Sequence, residues 1–140
     1  MMYHKILLAT DGSNHAIRAE ENALTLAKGN SNSSIEVVYV VDAEKAKSDV
    51  LNYWNRTDLT DTRQGRLNEF EQIAKKAGVN YKINILRGEP GPAIVDYANR
   101  NNFDVVVIGS RGLNTLQEFV LGSVSHKVVK EVKCPVLIVK

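Results

Sequence analysis

One cysteine, Cys134, stands in the 140 residues. No disulfide can form within the chain, and a reducing cytoplasm is the expected setting. Long apolar runs are missing too. Nothing approaches the ~18 residues of a membrane helix, and the N-terminus lacks the apolar stretch of a secretory leader, so a soluble protein is expected. Charge of one sign is also scarce. Lys plus Arg is 18 against 16 Asp plus Glu, a net of +2. With no block of like charges, that balance argues for neither a nucleic acid nor an acidic membrane as partner. The three histidines, His4, His15 and His126, form no ligand pair with one another or with Cys134 at useful spacing. A zinc site is not expected.

Several catalytic signatures are absent as well. There is no G-x4-G-K-[ST], which excludes a P-loop NTPase. No G-x-G-x-x-G follows the first apolar run, which argues against a dinucleotide enzyme. No Gly-x-Ser-x-Gly nucleophile elbow occurs.

What is present is a regular alternation. Five apolar runs of strand length are Ile6–Ala9, Ile35–Val41 (interrupted by Glu36), Tyr81–Leu86, Val105–Ile108 and Val136–Val139. All are rich in β-branched residues. Between them lie helical stripes. Ala16, Ala19, Ala23, Leu26 and Ala27 share one face, with Ser13 as a candidate N-cap. Leu67, Phe70, Ile73, Ala74 and Ala77 make a second stripe, stopped by Gly78. Ile94, Val95 and Ala98 make a third, with Pro92 near its first turn. Val124, Val128 and Val132 make a fourth, opened by Ser123. Cys134 reads as a small buried thiol ahead of the last run.

Strand–helix alternation implies parallel strands with right-handed crossovers, hence an α/β layer fold. The third run alternates apolar with Lys82 and Asn84, as a half-buried edge strand does. The first and fourth runs are continuous, as central strands are. The order 3-2-1-4-5 satisfies both, in a three-layer, doubly wound, five-stranded sheet. Residues 1–140 read as one domain. The stretch Asp42–Thr60, with Tyr53 and Trp54, fits no clear template, and a short helix or a mobile cover is expected there.

The chemistry concentrates after the fourth run. Gly109 follows it directly, Gly112 comes three residues later, and Gly122-Ser123 opens the fourth helix. Glycine allows a sharp turn and close approach of backbone to ligand. A helix opening offers unpaired N–H groups and a positive dipole end, which together suit an anion. Ser123 and Ser125 add hydroxyls. Arg111 is a phosphate candidate, although a loop arginine is as readily just solvated. By spacing alone, a tight turn with a helix cap explains the glycines equally well. Location favours phosphate, because doubly wound sheets bind ligands where the winding reverses, here between runs one and four. The first run ends in Thr10-Asp11-Gly12-Ser13, across that crevice. Asp11 suits ribose hydroxyls or Mg2+, and a capping aspartate is the plain alternative.

With these residues in view, the chain resembles the universal stress protein family over nearly its full length. Gly109, Gly112, Gly122 and Ser123 match every fixed position of that family's G-x2-G-x9-G-[ST] signature. Lys5–Ser13, Tyr39-Val40-Val41-Asp42, Gly88-Glu89-Pro90 and Cys134–Val139 resemble its other landmarks. Tyr39 stands where many members have histidine. The resemblance implies an adenine nucleotide alpha hydrolase-like fold and binding of ATP, ADP or AMP, with Mg2+ where ATP brings it. It implies that Asp11 holds the ribose and that Ala9, Thr10, Val40 and Ile108 line the adenine pocket. Gly109, Arg111, Gly112, Gly122, Ser123, Val124 and Ser125 are the residues expected around the phosphates.

No general base or nucleophile is evident beside those phosphates, and related adenylating enzymes' S-G-G-x-D-S loop is absent. Grip alone does not lower a barrier, because catalysis needs contacts that strengthen in the transition state. A stress-response or signalling protein that binds nucleotide, with at most slow hydrolysis, is the expectation. A weak ATP hydrolase and a nucleotide-independent dimeric module are the alternatives. The last run lies at the sheet edge, and an apolar edge invites pairing. The resemblance implies a homodimer through residues 136–140.

Overall fold

The computed structural model describes residues 3–10, 16–28, 30–41, 62–110 and 122–140. The expectations for Ser13 and for residues 42–60 lie outside them.

Five strands make one sheet: β1 (Lys5–Thr10), β2 (Ser34–Val41), β3 (Asn80–Arg87), β4 (Val105–Gly109) and β5 (Val136–Val139). Their order is β3-β2-β1-β4-β5, and every pairing is parallel. The four helices among the described residues are α1 (Ile17–Ala27), α2 (Thr62–Ala77), α3 (Pro90–Arg100) and α4 (Ser123–Glu131). None is long and apolar enough to cross a membrane.

The helices cover both faces, which explains why β1 and β4 are apolar at successive positions. On the first face, Ile6 and Leu8 of β1 pack with Ala19 and Ala23 of α1 and with Phe70 and Ala74 of α2. On the second, Leu7 and Ala9 pack with Ile94 and Ala98 of α3 and with Val128 of α4. Ile6, Leu7 and Leu8 are fully buried. The small alanines of α1 let that helix lie close over the sheet, and Leu24, outside the expected stripe, is buried with them.

The edge assignment of β3 holds, with exposed residues alternating with partly buried ones except at Ile83 and Asn84, both partly buried. Ile85 of that strand is 62% exposed. Glu36, which interrupts the apolar run of β2, points to the second face. There its carboxylate accepts hydrogen bonds from the Tyr97 hydroxyl and from Asn84 Nδ2, with Lys82 Nζ at 3.8 Å. A half-buried charge is tolerable when it is bonded in this way.

Helix α2 ends as its glycine predicts. Gly78 takes φ +69°, a left-handed conformation open to glycine at little cost. Its N–H bonds the Lys75 carbonyl at 3.2 Å, and the Val79 N–H bonds that of Ala74 at 3.0 Å, the paired closure of a Schellman motif. The buried stripe is narrower than its pattern suggests. Ile73 is 51% exposed, on the flank of the line through Phe70 and Ala74, and Ala77 is exposed in the last turn. Cys134 is partly rather than fully buried, against the second-face cluster.

Helix α3 begins two residues before Pro92, at Pro90, where a missing N–H costs nothing. Its second residue, Gly91, is buried against α4. A β-carbon there would lie 2.9 Å from Cδ of Lys127. Absence of a side chain at Gly91 thus lets the lysine stem lie across the start of α3.

Candidate functional site

β1 and β4 are adjacent in the sheet although ~100 residues apart in sequence. From β1 the strands run outward to β2 and β3 on one side and to β4 and β5 on the other. The winding reverses between β1 and β4, and the crevice beyond their carboxyl ends is the usual ligand position in such sheets.

The apolar wall of that crevice comes from the second face. Ala9 and Ile108 are register partners across β1 and β4. Both are buried in the second-face cluster, and Val40 and Val124 pack against the same cluster. Four residues expected at the site are thereby gathered in one apolar group. Thr10 is treated differently. It is buried at the end of β1, opposite Tyr39, and strand alternation assigns its side chain to the first face.

The polar part is built at the end of β4. The Ser110 N–H donates to the Val139 carbonyl at 2.8 Å, extending the β4–β5 ladder past Gly109. The Ser110 carbonyl then accepts the Gly122 N–H at 2.9 Å, which ties the start of α4 to the strand end. Ser125, 4% exposed, donates its hydroxyl to the Gly109 carbonyl at 2.6 Å. Gly109, Gly122 and Ser125 therefore meet in one hydrogen-bonded corner. The hydroxyl proton of Ser125 is already used by the protein, whereas Ser123 is exposed.

Among the described residues, no side chain compensates the opening of α4. Gly122 sits at the N-cap, no side chain caps it, and the first turn holds no acidic residue. The first intrahelical bond runs from the His126 N–H to the Gly122 carbonyl at 2.9 Å. The N–H groups of Ser123, Val124 and Ser125 precede it, at the positive end of the helix dipole. His126 itself is exposed.

Asp11, Arg111 and Gly112 lie outside the described residues. Two residues that hold α4 in place are not marked by the sequence. Ser110 acts through its backbone alone, which any residue supplies, so no signal marks it. Gly91, behind α4, could have been flagged as a glycine in the first turn of a helix, where only packing calls for it. Cys134 stands apart from this corner, and burial pushes its thiol up, in keeping with a packing role.

The universal stress protein family model matches residues 2–140. A universal stress protein of Methanocaldococcus jannaschii is 32% identical over 142 residues, covering 99% of this chain and 83% of that one. UspA from Lactobacillus plantarum superposes with a TM-score of 0.82 at 25% identity, covering 100% and 99% of the two chains. A universal stress protein solved in complex with cAMP superposes with a TM-score of 0.71 at 26% identity, covering 100% and 98%. A full-length family match, a relative over 30% identical and a shared sheet order agree: this chain belongs to the universal stress protein family.

Proposed function

We propose that this chain is an adenine-nucleotide-binding stress-response or signalling protein, taking ATP, ADP or AMP at the β1–β4 crevice. The observation that carries the proposal is the uncapped opening of α4 beside the apolar wall of Ala9, Ile108, Val40 and Val124. One end of the crevice suits an anion and the other a flat apolar ring. The related protein solved with cAMP adds an adenine nucleotide as the ligand class.

In this reading Ala9, Val40 and Ile108 take the adenine, with Thr10 contributing backbone. Asp11 takes the ribose hydroxyls and is the carboxylate available to a Mg2+ ion brought by ATP. Gly109, Gly112, Gly122, Ser123 and Val124 surround the phosphates, with Arg111 reaching in and Ser125 offering its backbone N–H. Binding, with at most slow hydrolysis, is the role. The unit is a single domain, residues 1–140, in the cytoplasm, pairing with a second copy through residues 136–140.

A thermal shift tests it. Ligand at ~100 times its dissociation constant stabilises a fold by roughly 2.7 kcal/mol. For a domain of this length that is on the order of 10 °C. Protein freed of co-purified nucleotide is expected to shift so with ATP, ADP or AMP. No shift with any of the three at millimolar concentration sinks the proposal.

A further inference from the structure

We infer that Ser125 is a positioning residue for the nucleotide phosphates, acting through the Gly109 carbonyl rather than by touching ligand with its hydroxyl. The inference rests on the nucleotide reading above.

Three hydrogen bonds fix the start of α4. Ser125 Oγ donates to the Gly109 carbonyl, the Gly122 N–H to the Ser110 carbonyl, and the Ser110 N–H to the Val139 carbonyl. The last two are backbone bonds that survive any side-chain change. The first is the sole side-chain tie in the set, and it is buried.

Its physical effect is twofold. Ser125 is the third residue of α4, so a bond from its side chain back to the strand end constrains the direction of the first turn as well as its position. The Gly122 bond alone would leave α4 free to pivot about its first residue. Val124 in the first turn and Val128 one turn further both pack against the second-face cluster, but apolar contact is non-directional and fixes the tilt of the first turn less closely than a hydrogen bond. An anion held by several N–H groups at once needs them fixed together, since preorganised donors lose no binding energy to ordering. The second effect is electrostatic. The carbonyls of Gly109 and Ser110 are acceptors at the edge of a proposed anion site. Each is occupied by a donor from α4, which withdraws acceptor charge from the phosphates and leaves the N–H groups of residues 123–125 to dominate.

The test compares ATP affinity by titration calorimetry for the wild type, S125A, S125T and V128A, all well below their unfolding midpoints. S125A is expected to bind about tenfold more weakly, and S125T, which keeps a hydroxyl, to stay within about threefold of the wild type. V128A removes core volume without touching the strand-end bond, so it should lose stability and keep its affinity. If S125A does not fold, S125C replaces it, because a thiol is a weaker donor. Wild-type binding with unchanged affinity in the hydroxyl-less variant overturns the inference alone. So does an equal loss in V128A, which would mark general loosening. No binding by the wild type overturns the nucleotide reading and this inference with it.

Discussion

The Tyr97 hydroxyl on α3 donates to the Glu36 carboxylate on β2, and Asn84 of the edge strand β3 donates to the same oxygen. Burial first, then the hydrogen bond and charge of Glu36, push the Tyr97 phenol from its ordinary 10 up to about 12. The native state therefore favours the protonated phenol. Its contribution is complete below pH 10 and is lost as pH rises from 10 through 12. Y97F is expected to cost about 1–3 kcal/mol at pH 7, the range for a hydrogen bond to a charged group and the acceptor it leaves behind. The gap between the two proteins should narrow from pH 10 to 12. Urea unfolding at several pH values checks this, and a gap constant to pH 12 would contradict it.

Gly91 makes a prediction of smaller size. An added β-carbon meets Cδ of Lys127, a mid-chain atom of a flexible side chain 40% exposed. The stem can swing outward, weakening the Lys127–Glu131 pair at 2.8 Å, an exposed i,i+4 pair of little worth. Alanine also lowers the entropy cost of ordering the helix. G91A is expected within about 1 kcal/mol of the wild type. G91L, which cannot be cleared by rotation of Lys127 alone, should cost about 1–3 kcal/mol. A chemical denaturation series distinguishes the two, and equal effects would mean that the contact does not govern this site.

The glycine signature gives the third prediction. Under the proposed function, G112V should abolish measurable ATP binding while leaving the circular dichroism spectrum and cooperative unfolding intact. A β-branched side chain restricts the loop backbone and fills space that a phosphate needs. Binding unchanged in a folded G112V protein would remove Gly112 from the site.

Much of the architecture was legible because burial on two faces and on one face write different patterns. The unbroken run Val105–Ile108 marked an interior strand, and alternation around Lys82 and Asn84 marked the edge. Gly78 marked the end of α2 because a left-handed residue there favours glycine. Patterns spoke less well where one residue's surroundings decide. Ile73 looked like part of a buried stripe, yet a shift of some 80° around the helix places it in solvent. Glu36 looked like an interruption, because its partners Tyr97 and Asn84 are distant in sequence. At the candidate site, the family resemblance supplied the pocket residues, of which Ala9, Val40 and Ile108 share one apolar cluster. The sequence marks the Ser125 hydroxyl as a donor beside the phosphates, and nothing in it reveals that the Gly109 carbonyl accepts that proton.

The two rims of the sheet are chemically unlike, and this bears on stoichiometry. β5 offers a short, wholly aliphatic border, Val136–Val139. On β3, Lys82 and Arg87 stand exposed on either side of Ile85, as charges that guard a border against strand addition. Under the proposed pairing through residues 136–140, copies joined border to border at β5 would bury that rim and present the charged β3 rims outward. Growth by strand addition would then stop at a closed pair.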